Sequence, residues 1–174
     1  AGTENDTITA ASGTNTITAG AGNDAIVLND GTNTVSGGAG ADTINTGTGD
    51  DLIIFDAADS VNAGADTDTL RFSGSSIDLA TTVPKISQVE ILDLANDASS
   101  NALTLNLDSV RQISGQANPT LTVEGGTGNS DTLTAVGDWV NLGTVNGYVK
   151  LVNGTATLMV DPDVSILGLT PTGG

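Results

Sequence analysis

Gly37-Gly38-Ala39-Gly40-Ala41-Asp42-Thr43-Ile44-Asn45 is one phrase of nine residues, and the chain repeats it on both sides. Ala19-Gly20-Ala21-Gly22-Asn23-Asp24-Ala25-Ile26 comes before it and Gly47-Thr48-Gly49-Asp50-Asp51-Leu52-Ile53 after it. Asp6, Asn15, Asp24, Asn33, Asp42 and Asp51 stand nine residues apart, each followed two residues later by an aliphatic: Ile8, Ile17, Ile26, Val35, Ile44 and Ile53. A glycine stands two residues before all but the first (Gly13, Gly22, Gly31, Gly40, Gly49), where Glu4 intervenes. The phase slips once, since Asp59 with Val61 follows Asp51 by eight residues, and Asp68 with Leu70 follows nine later with Gly64 four before it. A period that fixes a glycine, a short acid or amide and an aliphatic is one turn plus one short strand, repeated, which is the logic of a solenoid.

The same spacing predicts a cation site. Glycine permits positive φ, so successive carbonyls of the turn can face one concavity. The strand that follows alternates its side chains and sends the aliphatic inward. A carboxylate beside converging carbonyls is a cage of hard oxygens, which suits Ca²⁺ with its roughly six to eight oxygen ligands.

These copies resemble the G-G-x-G-x-D-x-U-x nonapeptides of RTX proteins, and residues 37–45 match at every fixed position. The resemblance implies a parallel β-roll with two nonapeptides per coil, and calcium held between a turn and the turn one coil on by aspartates and backbone carbonyls. Repeats eighteen residues apart then stack on one edge. One ladder is Asp6, Asp24, Asp42, Asp59, and the other is Asn15, Asn33, Asp51, Asp68. The acid ladder is expected to hold calcium. On the other edge only the Asp51/Asp68 step is expected to, the amides being read as hydrogen-bonded turn formers. The candidate metal ligands are Asp6, Gly22, Asp24, Gly38, Gly40, Asp42, Gly47, Gly49, Asp51, Asp59, Gly64, Asp66 and Asp68, with Ca²⁺ the expected cofactor. Ala11, Asn29 and Ala57 stand where the phrase wants glycine, and the eight-residue step is expected to distort the Asp42/Asp59 site.

Composition bounds the function. The 174 residues carry 4 basic and 21 acidic side chains, a net charge of −17. Arg71, Lys85, Arg111 and Lys150 are too few to track a phosphate backbone, so no nucleic acid is expected as partner. An anionic membrane surface would repel the chain, and no stretch has the length of a transmembrane helix, so no membrane insertion is expected. Cysteine and histidine are both absent, which excludes disulfides, zinc-finger sites and Ser-His or Cys-His catalytic pairs. The chain opens inside a repeat, with neither an initiator Met nor a signal peptide, and is expected to be a piece of something longer.

Threonines line the outward strand positions up to Thr43, a pattern compatible with ordering water, but Ala25 and Val27 interrupt one face and the ordinary strand preference of Thr accounts for the rest. Leu52-Ile53-Ile54-Phe55 is apolar on both faces, as in a strand covered on both sides, either by the C-terminal half of the chain or by a partner. Self-association through Leu52 and Ile54 is therefore one expectation.

Beyond Ser73 the nonapeptide disappears. Ile77 with Leu79, Val89 to Leu94, Leu103 to Leu107, Leu121 with Val123, Val140 with Leu142, Tyr148 to Val152, Leu158 with Val160, and Val164 with Ile166 read as strands. Turn signals at Asn96-Asp97, Gly125-Gly126, Gly128-Asn129, Asn146-Gly147 and Asn153-Gly154 separate them. Asp108 to Gln112 reads as a helical turn capped by Asp108. Trp139 and Tyr148 read as plugs of a core or solenoid end, with sugar stacking as the alternative.

Val89-Glu90-Ile91-Leu92-Asp93-Leu94, Leu103-Thr104-Leu105-Asn106-Leu107-Asp108-Ser109-Val110, Gly137-Asp138-Trp139 and Ala156 to Asp161 resemble the region that closes large repetitive bacterial adhesins. That resemblance implies an uncleaved type I secretion signal, an exporter as partner and an extracellular or cell-surface location. The expectation is an all-β chain: a calcium-binding parallel β-roll over 1–72, continuing over 73–174 into an irregular β-solenoid or β-rich cap that carries the secretion region. It is read as a structural module, not an enzyme, folding on calcium after export. The rivals are a fibre or lattice component and a carbohydrate-active solenoid using paired carboxylates.

Overall fold

The computed structural model describes residues 2–72, 76–81, 85–94, 100–126 and 130–169. The turn signals at Asn96-Asp97 and Gly128-Asn129 lie outside them. In chain order the strands are β1 (Thr7–Thr9), β2 (Thr16–Ala21), β3 (Ala25–Val27), β4 (Thr34–Ala39), β5 (Thr43–Asn45), β6 (Leu52–Phe55), β7 (Ser60–Asn62), β8 (Thr69–Phe72), β9 (Ser76–Asp78), β10 (Ile86–Ser87), β11 (Ile91–Asp93) and β12 (Ala102–Asn106). One helix, α1 (Leu107–Ser114), precedes β13 (Thr120–Glu124), β14 (Thr132–Val136), β15 (Val140–Val145), β16 (Tyr148–Asn153), β17 (Ala156–Val160) and β18 (Ser165–Leu167). The chain forms two compact units, Ala1–Ser73 with Lys85–Ile91, and Gly74–Pro84 with Leu92–Gly174.

The first unit is a parallel β-roll. The strands alternate between two sheets, β1-β3-β5-β7-β10 in one and β2-β4-β6-β8 in the other. Equivalent aliphatics stack in register: Ile8, Ile26, Ile44, Val61 and Ile86 in the first sheet, and Ile17, Val35, Ile53 and Leu70 in the second. In the three-residue strands β1, β3, β5 and β7 the central residue is the one inward position, whereas the four-residue β6 and β8 also bury Phe55 and Phe72. Ile26, Ile44, Val35, Ile53 and Leu70 are fully buried, each contributing about 1.5–3 kcal/mol of transfer free energy. Phe55 and Phe72, one coil apart, meet edge to face with centroids 5.9 Å apart and are both buried. Leu52 and Ile54 point outward and are half-buried, paired in register with Thr34 and Ser36 on one side and Thr69 and Arg71 on the other.

The coil containing the eight-residue step keeps its register, with Thr43 opposite Ser60 and Ile44 opposite Val61. The missing residue is absorbed in a tight turn, where the Asp59 N–H donates to the Asp56 carbonyl at 3.0 Å.

The second unit has rungs of longer and unequal spacing. Ile77, Leu103, Leu133 and Ile166 stack through the parallel strands β9, β12, β14 and β18. β14 was absent from the sequence reading, although Asp131-Thr132-Leu133 repeats the acid-x-aliphatic order of the roll. β13 pairs parallel with β17, but β17, β16 and β15 form an antiparallel meander instead of further rungs. Tight turns at Asn146-Gly147, both with positive φ (51° and 91°), and at Gly154 reverse the chain there.

Helix α1 is longer than the expected single turn and starts earlier. Asn106, not Asp108, is its cap: Asn106 Oδ1 accepts the Ser109 N–H at 2.8 Å, and Ser109 Oγ accepts the Asn106 N–H at 2.9 Å, closing a reciprocal box. Trp139 is 1 % exposed and donates its indole N–H to the Val136 carbonyl at 3.2 Å, so it is a core plug and offers no stacking face. Tyr148 donates its hydroxyl to Glu124 Oε1 at 2.8 Å, and that bond holds its proton more tightly than usual.

Candidate metal centre

The nonapeptide turns of the roll carry two ladders of side chains, one on each edge. On the first edge the Asp6 N–H donates to Asp24 Oδ1 (2.7 Å), the Asp24 N–H to Asp42 Oδ1 (2.8 Å) and the Asp42 N–H to Asp59 Oδ1 (3.0 Å). On the second the Asn33 N–H donates to Asp51 Oδ1 (2.7 Å) and the Asp51 N–H to Asp68 Oδ1 (2.9 Å). Each rung thus fixes one oxygen of its carboxylate on the backbone of the coil before it. The amides stack side chain to side chain, Asn15 Nδ2 on Asn33 Oδ1 and Asn33 Nδ2 on Asp51 Oδ1 (2.8 and 2.9 Å).

The residue just before the acid forms an outer ladder of opposite direction, which the sequence reading left unassigned. Asn5 Oδ1 accepts the Asn23 N–H, Asn23 Oδ1 the Ala41 N–H, and Asp50 Oδ1 the Thr67 N–H, at 2.7, 2.9 and 2.9 Å. The variable fifth position of the phrase is therefore a staple to the following coil wherever a short acid or amide stands there.

The second carboxylate oxygen of the inner ladder carries the chemistry. Oδ2 of Asp24, Asp42, Asp51 and Asp68 is buried and receives no hydrogen bond, in residues 2 %, 1 %, 2 % and 0 % exposed. Thr46 sits beside Asp51 but spends its hydroxyl proton on the Ala63 carbonyl at 2.6 Å. A buried carboxylate oxygen without a donor is costly, and it recurs here at the same turn position in successive coils. Burial raises the pKa of Asp51, and raises that of Asp68 to about 7 with help from the charges of Asp51, Glu90 and Asp50. Asp59 is pushed up to about 6, again mainly by burial. A divalent cation removes this penalty directly, since an opposite charge favours the ionised form.

The glycines set the shape of these turns. A Cβ on Gly37 would collide with the Asp42 carboxylate, so only glycine lets that side chain fold back into its own turn. Gly22, Gly40 and Gly49 stand two residues before the acid at φ 122°, 136° and 112°, and Gly38, Gly47 and Gly64 stand four before it at φ 103°, 92° and 107°. At Gly40 a Cβ would strike the Gly22 carbonyl of the preceding coil, so the turns stack backbone to backbone. Among the described residues no three acidic side chains converge on one point, so carbonyls would have to complete any ligand shell. All-oxygen donors of this kind fit Ca²⁺ and fit Zn²⁺ poorly.

The other candidates are placed differently. At the ends of the acid ladder, Asp6 Oδ2 accepts the Gly2 N–H and Asp59 Oδ2 the Asp56 N–H, both at 3.0 Å, so that Asp59 has both its oxygens on backbone. Asp66 stands where the phrase has glycine, at φ 86°, exposed, with Oδ2 accepting the Gly49 N–H at 3.2 Å. Glu90 was not among the candidates, yet its Oε2 accepts the Asp68 N–H at 3.0 Å and continues the second ladder. Its separation of twenty-two residues from Asp68 hid it from a search for period nine, although an acid two residues before an aliphatic was visible in Glu90-Ile91-Leu92.

The family model of the RTX calcium-binding nonapeptide repeat (4 copies) matches residues 1–35 and 27–57. No curated protein matches the chain.

Proposed function

We infer, from the RTX calcium-binding repeats that occupy residues 1–57, that this chain is a calcium-loaded structural and export module of a secreted, adhesin-like protein. The observation that carries the reading is the recurrence of a buried, donor-free Oδ2 at Asp24, Asp42, Asp51 and Asp68. Asp24 and Asp42 on one edge, and Asp51 and Asp68 on the other, would hold calcium with turn carbonyls. Calcium supplies the positive charge that lets these carboxylates ionise in a buried turn. Without it, the crowded acids of a chain with net charge −17 repel one another and oppose stacking of the coils.

Ion-coupled folding also gives the export role a mechanism. A chain that stays open at low calcium and closes at the higher calcium outside a cell would not slide back through an exporter. Residues 1–72 would serve as the ion-driven part and 73–174 as the cap and secretion region. No step of this role needs a catalytic group, and we read the chain as non-enzymatic. Circular dichroism during a calcium titration tests it, repeated with Asp24→Asn and Asp42→Asn. Wild type is expected to gain strand signal with calcium and the variants to need more of it; a wild type equally folded in chelator would overturn the reading.

A second role rests on Leu52 and Ile54, two outward, half-buried aliphatics flanked in register by Thr34 and Ser36 on one side and by Thr69 and Arg71 on the other. They would serve as a self-association face. Light scattering of wild type and Leu52→Ser/Ile54→Ser with and without calcium tests it, equal particle size in all four samples arguing against it.

A further inference from the structure

We propose that Glu90 closes the roll as an additional metal-binding rung, holding a calcium ion jointly with Asp68 and with carbonyls of their turns. This rests on the reading above and extends it past the nonapeptides, to a residue outside the matched repeats.

Three features put Glu90 in the ladder. Its Oε2 takes the Asp68 N–H at 3.0 Å, the bond by which every earlier acid rung grips the coil before it. The backbone follows, since the Ile91 N–H donates to the Asp68 carbonyl at 3.0 Å, as the Thr69 N–H donates to the Asp51 carbonyl at 2.8 Å. Finally, Gln88, two residues before the acid, has φ 58°, the left-handed region that Gly40 and Gly49 occupy at the same place. A glutamine adopts that conformation only when its surroundings impose it.

Sequence disguises this rung because its turn is compressed. Seven residues separate inward Val61 from Asp68, whereas four separate inward Ile86 from Glu90. The extra methylene of glutamate restores the reach that the shorter turn removes.

The need for a cation comes from Asp68. It is 0 % exposed, its Oδ2 receives no hydrogen bond, and Asp51, Glu90 and Asp50 all act on it electrostatically. Asp50 is turned to the Thr67 N–H and Asp51 to the Asn33 N–H, so Glu90 is the acid that engages Asp68 from the far side. Two carboxylates with one oxygen each on backbone make, with carbonyls from their turns, an oxygen-only donor set that would suit Ca²⁺.

The test counts ions and watches Glu90 itself. Calcium bound at saturation is measured by equilibrium dialysis on wild type and Glu90→Gln, since glutamine keeps an oxygen for the Asp68 N–H and removes the charge. Wild type is expected to bind one ion more per chain. Independently, in a Glu4→Gln/Glu124→Gln background Glu90 is the sole glutamate, and ¹³C labelling isolates its carboxylate stretches in the infrared. Their splitting is expected to change on calcium binding as coordination requires. If Glu90→Gln does not fold, this second measurement decides alone. Equal ion counts, or a Glu90 band that ignores calcium while the other turns fill, overturns the inference and leaves the proposed function standing; a wild type that binds no calcium overturns both.

Discussion

Asp24, Asp42, Asp51 and Asp68 each do two jobs with two oxygens. Oδ1 is a structural acceptor for the coil before, and Oδ2 is the buried group that needs a cation. The two roles separate on mutation. Asp42→Asn keeps an oxygen for the Asp24 N–H and deletes the buried charge, so in chelator it is expected to be at least as stable as wild type. In calcium it should lack the stabilisation of one filled site, about 2.7 kcal/mol at an ion concentration of about one hundred times Kd. Urea denaturation with and without calcium reads both numbers. The same burial sets a pH dependence in the metal-free chain. Asp59 and Asp68 are raised from 3.8 to about 6 and about 7, so the folded state holds protons that the unfolded state has released. Their contribution is complete below about pH 4 and is lost as pH rises through about 6 to about 7. Thermal melts in chelator should therefore show a higher Tm at pH 5 than at pH 8, and an equal or reversed order would contradict these positions of the carboxyls.

Among the elements, the roll was legible because its period is covalent: nine residues per turn and strand place Ile26 over Ile44 and Asp24 over Asp42 without any long-range information. Legibility failed where spacing stopped being constant. Glu90 was missed because a twenty-two-residue excursion precedes it, and β14 because Leu133 follows Leu103 by thirty residues. β15, β16 and β17 were legible as strands but their antiparallel order was not, because alternation of apolar residues marks a strand and says nothing of its direction. The helix start was misplaced for a local reason. Asn106, Leu107 and Asp108 offer two capping side chains, and the one chosen is that whose partner, Ser109, can bond back. Asn106→Ala is expected to cost about 1 kcal/mol at any calcium concentration. Its Nδ2 also ties to the Ala80 carbonyl at 2.9 Å, which makes the upper end of the capping range the better expectation. A loss of stability seen only with calcium present would place Asn106 in a different role.

For the whole molecule, −17 of net charge with 4 basic residues means self-repulsion opposes the compact state, and counter-ions are expected to relieve it. Sodium chloride screens exposed acids but cannot reach Oδ2 of Asp24 or Asp68, so high salt in chelator is expected to recover only part of the stability that calcium gives. Magnesium, which holds its waters and wants six close ligands, is expected to fall between the two. Melting curves in the three ions check the order. The one-way inner rungs have a further outcome. The amides of Asp6, Asp24 and Asp42 on one edge, and of Asn33, Asp51 and Asp68 on the other, are each fastened by a side chain that comes later in the chain. Such a ribbon resembles a row of clasps whose catches all lie downstream. Trimming it from the late end unfastens the coil that remains, whereas trimming from the early end strips a donor from a carboxylate that water can then serve, so deletions of equal length should be unequal in damage.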